Sequence, residues 1–429
     1  MRWSRRRLLA VTGTAATAIA GCTESRSDAD PAETGPSGSP PTVPETATEL
    51  YTHLQASGNR RLSGMGAINN VTPVDLDIDG RPAWLLAAGD TDSYWTVVTA
   101  AGEATTHRVR DGTSEQVADL GPVSTPPFGY RTAERTEIGD SPGDCAEFTH
   151  PIPIDGGLAY VATDGDVVLW QDETPTRLPV AAPPDARLVR VDDSRLAVYG
   201  KRSDDRYQHG ALGDTIEGSS VAVVDSDAGR VTTEIELDAP AVFEGLSPLL
   251  ADLDGDGDPE IVTTVADTAN GARIRVYGID GSEIATGPIY GSGWRHQLCV
   301  APFGPDGAPE LAVVRKPHVD RTVEFYRLNG SELEVVATRQ GYSSHTYGSR
   351  NLDGGLAGDL DGDGRPELLV PTTPRQELAV LQRTDGGVSQ AFSLPLGGRL
   401  ATNVAGVALD GGRIAVGAGT ANRVRVWQA

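Results

Sequence analysis

The chain has 429 residues, enough for one large domain or two smaller ones. It carries 60 acidic and 36 basic residues, a formal net charge of -24 at pH 7, and only two lysines, Lys201 and Lys316. A surface with this charge repels nucleic-acid phosphates and anionic lipid headgroups. We therefore expect no nucleic-acid partner and no direct adsorption to a membrane surface.

Residues 1–22 predict an export signal. Residues 5–7 are three arginines, and the small apolar residues that follow form a run too short to be a comfortable membrane span. The arginine pair resembles a twin-arginine signal, and residues 19–22, Ile-Ala-Gly-Cys, resemble a lipobox in which Cys22 becomes the lipidated first residue. An ordinary signal with an incidental cysteine is the alternative. We expect a mature protein anchored by lipid, and by nothing else, to the extracellular face of the cytoplasmic membrane.

Residues 23–47 are rich in Pro, Ser, Thr and Glu and hold almost no large apolar side chains. Such a segment cannot bury enough surface to fold, so it predicts a disordered tether, with the folded domain at 48–429. After Cys22 only Cys145 and Cys299 remain. The sequence leaves open whether these two form a disulfide or stay as two buried thiols.

Short β-branched or aromatic runs recur along the domain, and each ends in a polar turn. The runs are residues 94–103, 166–173, 220–230, 273–283, 322–332, 377–387 and 423–429. Each is preceded by another turn-and-strand segment, and helical periodicity is nearly absent after residue 60. A repeat of about 50 residues with four short strands is typical of a β-propeller blade. We predict an all-β, seven-bladed β-propeller.

Two other architectures stay open: a stacked pair of β-sandwiches, and six blades with an additional hairpin. Residues 111–150 interrupt the regular spacing and are interpreted as an inserted loop. The last repeat holds only three strands, and propellers complete such a blade with a strand from the other terminus. We expect residues 60–69 to supply this missing outer strand.

Two acidic loops, residues 251–262 and 358–370, share one pattern. Numbered from the first aspartate of each motif, carboxylates stand at positions 1, 3, 5 and 9, glycine at 6, and a backbone carbonyl at 7. The predicted ligands are Asp252, Asp254, Asp256, Asp258 and Glu260 in the first loop, and Asp359, Asp361, Asp363, Arg365 and Glu367 in the second. Ca²⁺ takes six to eight hard oxygen ligands in a forgiving geometry, whereas Mg²⁺ needs a stricter octahedron. An Asp-Gly hairpin without metal is the alternative.

These loops are not EF-hands, because position 12 is Thr263 or Val370 rather than glutamate, and strand-like residues follow at once. They resemble the calcium loops of FG-GAP and VCBS repeats, which occur in integrin α-chain-like β-propellers. The resemblance covers residues 70–429 through the repeat and implies that each loop joins the first two strands of a blade. The acid-rich, lysine-poor composition also resembles that of haloarchaeal proteins.

Other copies of the acidic loop are incomplete. One copy has Ala83 at position 9, so we expect only weak metal binding by its remaining acids. These acids are Asp75, Asp77 and Asp79. The copy at residues 301–310 keeps Asp306 and Glu310 but lacks acids at positions 1 and 3, so we expect no metal there.

The sequence contains neither a nucleophile elbow nor a phosphate-binding glycine loop, so no catalytic residues are predicted. Residues 291–298 and 342–351 lie between predicted blades, where propellers commonly line the mouth of the central channel. Their side chains form a candidate pocket for a sugar or an acidic ligand: Trp294, Arg295, His296, His345, Tyr347 and Arg350. Ordinary loop residues bonded to backbone are the alternative for each. We expect a calcium-binding module that binds or adheres to a protein or carbohydrate; an extracellular lyase or hydrolase acting on polysaccharide is the alternative.

Overall fold

The structure is a computed structural model that describes residues 47, 49–123, 127–132, 135–139, 141–171, 174–207 and 210–429. The predicted signal with Cys22, and the predicted tether up to residue 46, lie outside the described residues. The described residues belong to one compact unit of strands, with two single-turn 3₁₀ helices, Ile68–Asn70 and Asp410–Gly412, and no α-helix. No helix among them has the length and apolar character needed to cross a membrane. The predicted all-β class is confirmed.

The first three strands are short, and their partners lie far along the chain. They are β1 (Glu49–Tyr51), β2 (Arg61–Met65) and β3 (Val74–Leu76). The chain then forms antiparallel units of four strands, numbered here in chain order. Unit 1 consists of β4 (Pro82–Gly89), β5 (Ser93–Thr99), β6 (Glu103–Arg110) and β7 (Thr113–Pro122). Two further strands, β8 (Phe128–Arg131) and β9 (Thr136–Gly139), form a small sheet with β1.

Units 2 to 4 repeat the four-stranded pattern. Unit 2 consists of β10 (Ile152–Ile154), β11 (Gly157–Val161), β12 (Val167–Gln171) and β13 (Thr174–Leu178). Unit 3 consists of β14 (Val189–Arg190), β15 (Arg195–Ser203), β16 (Glu217–Asp225) and β17 (Arg230–Glu236). A two-residue strand, β18 (Val242–Phe243), links β16 to unit 4. Unit 4 consists of β19 (Leu249–Ala251), β20 (Glu260–Asp267), β21 (Gly271–Tyr277) and β22 (Glu283–Thr286).

The remaining strands build units 5 to 7. Unit 5 consists of β23 (Arg295–Ala301), β24 (Glu310–Arg315), β25 (Thr322–Asn329) and β26 (Glu332–Gln340). Unit 6 consists of β27 (Leu356–Asp359), β28 (Glu367–Pro371), β29 (Glu377–Thr384) and β30 (Gly387–Pro395). Unit 7 has β31 (Val404–Ala408), β32 (Ile414–Gly419) and β33 (Val424–Gln428), and its fourth strand is β3, which pairs antiparallel with β33.

The strand that completes unit 7 is therefore residues 74–76, and the expectation that residues 60–69 supply it is wrong. Residues 61–65 form β2 instead, which pairs in parallel with β27 beside the first strand of unit 6. Each of the two strands buries a single leucine, but in a different core: Leu76 lies between units 7 and 1, and Leu62 lies between units 6 and 7. Residues 111–150, expected to be a loop, contain β7, β8 and β9.

Six buried apolar clusters each join two successive units. The joined pairs are units 2 and 3, 3 and 4, 4 and 5, 5 and 6, 6 and 7, and 7 and 1. Because units 3 to 7 each lie between two others in this succession, their middle strands are buried on both faces and read as continuous apolar runs. In β20 seven of eight residues are buried, whereas in the outer strand β17 only one of seven is. Close packing also requires glycine: a Cβ on Gly417 would lie 2.5 Å from the Trp95 ring.

A segment at residues 56–65, here called the strap, crosses the first strands of units 3 to 6. Backbone amides of three units donate to strap carbonyls: Arg190 to Ala56 (2.7 Å), Leu250 to Ser57 (2.9 Å) and Ala357 to Arg60 (2.7 Å). In unit 5 the partner is the side chain of Asn59, which bonds the backbone of Val300. The strap thus satisfies backbone groups that the first strands would otherwise leave unpaired.

Candidate functional site

The two acidic loops lie at equivalent places in units 4 and 6, between the first and second strands. In each loop the carboxylates at positions 1, 3 and 9 offer oxygen atoms that all lie within 4.8 Å of one another. The clusters are Asp252, Asp254 and Glu260 in unit 4, and Asp359, Asp361 and Glu367 in unit 6. The glutamate at position 9 begins the second strand and is buried in both units.

Backbone amides bind the carboxylates in the same way in both loops. The aspartate at position 1 accepts hydrogen bonds from the amides at positions 4 and 6. The distances are 2.6 Å from Gly255 and 3.1 Å from Gly257 in unit 4, and 2.8 Å from Gly362 and 2.9 Å from Gly364 in unit 6. All four glycines have positive φ between 83° and 99°, a conformation that other residues adopt only with strain. The repeated sequence pattern therefore produces one loop conformation twice.

The glutamate at position 9 folds back over the loop. Glu260 accepts a hydrogen bond from the amide of Leu253 at 2.7 Å, and Glu367 accepts one from Leu360 at 2.8 Å. Burial, with a smaller effect of the nearby aspartates, raises the pKa of Glu260 to about 7 and that of Glu367 to about 8. A cation between the carboxylates would reverse this effect, since it stabilises their charged forms. The all-oxygen donor set is compatible with Ca²⁺.

The predicted ligands at positions 5 and 7 lie outside these three-carboxylate clusters. Asp256 and Asp363, at position 5, each accept a hydrogen bond from the amide at position 7 at 2.8 Å. The residues at position 7 are Asp258, which is exposed, and Arg365, whose guanidinium donates to the carbonyl of Arg383. The backbone carbonyls of Asp258 and Arg365 are the predicted ligands. Their side chains face solvent in one case and contact another backbone carbonyl in the other.

Unit 6 has a side chain over its loop that unit 4 lacks. Gln382 donates from Nε2 to Asp363 Oδ2 at 2.8 Å and to Glu367 Oε1 at 3.3 Å. Gln382 lies in β29, the third strand of unit 6. It directly follows Leu381, which pairs with Leu368 of β28. The corresponding residue in unit 4 is Gly278. The loop motif does not predict this contact, because Gln382 is brought next to the loop by the register of β28 against β29.

In unit 5 an arginine occupies the position that corresponds to Gln382. Arg327 bonds both oxygens of Asp306, at 3.0 and 2.9 Å, and Glu310 Oε1 at 2.7 Å. Glu310 is fully buried and also accepts a hydrogen bond from Arg383 of unit 6, at 2.8 Å. Guanidinium groups therefore neutralise the two acids that this incomplete loop retains.

The acids at positions 75, 77 and 79 do not form a cluster like those of the two complete loops among the described residues. Asp75 lies in β3 and is held by Arg425, at 2.6 and 2.8 Å, and by Arg423 at 3.2 Å. The hydrogen bond from Arg425 lowers the pKa of Asp75 below its usual value. Because β3 pairs with β33, Asp75 lies opposite Arg425 in the strand register.

Of the six predicted pocket residues, three come together but are buried. The Trp294 ring stacks on His296 with centroids 4.4 Å apart and meets His345 edge-on at 5.3 Å. All three side chains are at most 3 % exposed. Trp294 and His296 line a cavity of about 20 Å³, whereas His345 lines a different cavity of about 30 Å³. Neither space holds more than a water molecule or so.

The other three predicted pocket residues lie apart from this aromatic group. Arg295 is fully buried and donates to the carbonyl of Gly293. Arg350 bonds Asp185 and Asp214 and stacks over a phenylalanine ring. Tyr347 is 68 % exposed. The six residues therefore do not line one common pocket among the cavities of the described residues.

A larger cavity, of about 280 Å³, lies between the strap and the first strands of several units; we call it the strap cavity. Asp353 lies at its edge, almost fully buried, and is bonded by Arg60 Nε at 3.1 Å, Arg187 Nη1 at 3.0 Å and His53 Nε2 at 3.2 Å. Burial alone would raise the pKa of Asp353, but Arg187 and Arg60 hold it well below its usual value. The sequence did not predict this network, because its members come from three distant segments, around residues 53–60, 187 and 353, and follow no motif.

Cys145 and Cys299 are free thiols in different parts of the fold. Cys299 lies in the core between units 5 and 6, and Cys145 packs beside Tyr160 of unit 2. Burial raises the pKa of both thiols to about 12, which leaves little reactive thiolate at neutral pH.

No protein family matches this sequence, and no curated protein is significantly similar to it. Among solved structures, the chain is similar to the "Crystal structure of BBS1N in complex with ARL6DN, soaked with mercury", with a TM-score of 0.46, 11% identity, and coverage of 83% of this chain and 97% of that chain. It is also similar to the "Crystal Structure of Mitotic Checkpoint Complex", with a TM-score of 0.44, 13% identity, and coverage of 84% and 95%. These likenesses are too distant to indicate a function.

Proposed function

We propose that the chain is a calcium-stabilised β-propeller of the FG-GAP and VCBS kind that acts as a binding or adhesion module. The seven four-stranded units would be its blades, and the pairing of β3 with β33 would be its closure. This interpretation is supported by the succession of buried clusters from unit to unit and by the N-terminal strand in the last unit. Closure of this type leaves no open sheet edge.

The observation that carries the calcium proposal is the duplicated loop. Two loops at equivalent positions, more than 100 residues apart in sequence, share one carboxylate cluster and one pattern of amide hydrogen bonds. Carboxylates this close repel one another when charged, so the loop is most stable with a cation among them. Calcium would then act as a structural ion that fixes the first hairpin of units 4 and 6.

Thermal unfolding with and without calcium tests this proposal. We expect millimolar Ca²⁺ to raise Tm relative to a chelator at a fixed, high ionic strength, which separates specific binding from screening. A hundredfold excess over Kd would stabilise the fold by about 2.7 kcal/mol for each occupied site. Asp254→Ala and Asp361→Ala should each remove part of this gain and the double variant nearly all of it, whereas Asp77→Ala serves as the control. A Tm indifferent to calcium would mean that the loops are only turns.

The binding role is proposed because the sequence offers no catalytic motif, while the fold offers a cavity and exposed loops. Its ligand would be a protein or a carbohydrate at the cell surface. Anchoring through Cys22 is proposed from the sequence alone. We expect Cys22→Ser to move the protein from the membrane fraction into the medium without changing its Tm; a variant that still sediments with membranes would contradict the anchor.

A further inference from the structure

The strap cavity combines apolar walls with a strongly cationic set of polar groups. Its walls include the buried side chains of Ile152, Leu188, Leu356 and Val404. Its volume of about 280 Å³ equals that of roughly nine water molecules at about 30 Å³ each. The space therefore suits a ligand of about ten non-hydrogen atoms with an apolar body.

The charges around the cavity are opposite to those of the chain as a whole. The chain has 60 acidic and 36 basic residues. Among the described residues that line the cavity, however, three are arginines, Arg60, Arg61 and Arg190, and a single one, Asp353, is acidic. Asp353 is already shared between Arg60 and Arg187, so the charged groups that line the cavity have an excess of positive charge. Uncompensated positive charge beside an apolar space favours an anion.

Two polar groups on the cavity wall are available to a ligand. Arg61 and Ser63 lie in β2 on either side of buried Leu62 in sequence, and both are exposed residues that line the cavity. Arg61 makes no ion pair with any carboxylate of the described residues.

We propose that the strap cavity binds a small organic anion with an apolar body, such as an aliphatic or aromatic carboxylate. Its body lies against the leucine and isoleucine walls, and its charged head lies at Arg61, which can donate two parallel hydrogen bonds to a carboxylate. None of the loop carboxylates lines the cavity. Loss of calcium binding would therefore leave this proposal intact.

Isothermal titration of the purified protein with octanoate tests the proposal. We expect saturable binding of one octanoate per chain, and binding at least tenfold weaker for the neutral octan-1-ol, since the charged hydrogen bonds are lost. Sodium sulfate at the same ionic strength should compete poorly, because it has no apolar body. Absence of saturable binding, or equal binding of octanoate and octan-1-ol, would overturn the proposal. Equal competition by sulfate would also overturn it, because charge alone would then explain the site.

Two variants test whether octanoate binds in the strap cavity. Arg61→Gln should weaken octanoate binding about tenfold. Ser63→Trp should abolish it, because Ser63 is exposed and lines the cavity, so a large ring there takes up ligand space while the core residues stay in place. Arg230→Gln, an exposed arginine at the start of β17, is the matched control and should bind as the parent does. If both cavity variants keep the parent Tm and bind octanoate like the control, the site is elsewhere and the proposal fails.

Discussion

The buried side-chain amide of Asn403 in unit 7 bonds both backbone polar groups of Leu85 in unit 1. Its Oδ1 accepts a hydrogen bond from the Leu85 amide at 2.9 Å, and its Nδ2 donates to the Leu85 carbonyl at 2.7 Å. Asn59 of the strap makes the same pair of bonds to Val300, at 2.9 and 3.1 Å. In both places an asparagine side chain takes the role of the peptide group of a neighbouring strand. The backbone amide and carbonyl at the edge of a first strand therefore have hydrogen-bond partners although no further strand lies beside them.

Asn403→Ala should destabilise the fold by about 3 kcal/mol, since it leaves a buried amide and a buried carbonyl without partners. The free energy of unfolding in urea measures this effect. Asn70→Ala is the control, because Asn70 is exposed and should change stability by less than about 0.5 kcal/mol. Equal stability of the two variants would show that the Asn403 bonds do not hold units 7 and 1 together.

The buried ion pair between Arg383 and Glu310 joins units 6 and 5. Arg383→Gln should cost about 2 to 4 kcal/mol, because Glu310 is fully buried and keeps only Arg327 as a cationic partner. Arg423→Gln provides a matched control at an exposed pair, where Asp75 keeps Arg425; a loss below about 1 kcal/mol is expected there. Denaturant unfolding at constant salt distinguishes the two, and similar losses would contradict the importance of burial.

The two acidic loops should differ in calcium affinity because only unit 6 has Gln382 over its carboxylates. Gln382→Leu removes the donor that orients Asp363 and Glu367, and we expect about a tenfold loss of affinity at that loop. Calcium titration in the Asp254→Ala background isolates the loop of unit 6. In the Asp361→Ala background, which isolates unit 4, the same leucine substitution should have no effect. A shift in both backgrounds would indicate a general change of fold instead.

Acid should destabilise the fold through His150. Burial lowers the pKa of His150 well below its usual value, and both ring nitrogens lack hydrogen-bond partners among the described residues. The unfolded chain takes up a proton at this residue near pH 6.5 while the folded chain does not, so stability falls as the pH decreases through that value. For one such group the loss reaches about 2 kcal/mol by pH 5.

His150→Leu should therefore unfold with a weaker pH dependence than the parent. The two proteins should have similar stability at pH 8, and the variant should gain about 2 kcal/mol relative to the parent by pH 5. Other buried groups, such as His53 and Asp353, are present in both proteins. Their contributions to the pH dependence of stability therefore cancel in the comparison. Denaturant unfolding across this pH range gives the answer; parallel curves would show that His150 is protonated in the folded state or contributes nothing.

Local features of the fold and of the candidate site followed from the sequence, whereas distant pairings did not. Turn residues and apolar runs act over a few positions, so the strands and the all-β class were predictable. The acidic loops were equally local, because Asp252 is bonded by amides three and five residues further on. The partner of β3 lies about 350 residues away, and no local pattern separates residues 74–76 from 61–65 as the closing strand. Gln382 and Arg327 depend on strand register in the same way.

The strap and β3 have a consequence for the order in which the domain is made. These residues are synthesised before their partners in units 3 to 7, and Val426, which pairs with Val74, follows about 350 residues later. Until β33 has been made, β3 lacks its partner strand in unit 7. Contacts with such large sequence separation form slowly, so release of a chain that stops before β33 yields an open, aggregation-prone product. This domain therefore cannot complete its fold before β33 has been synthesised.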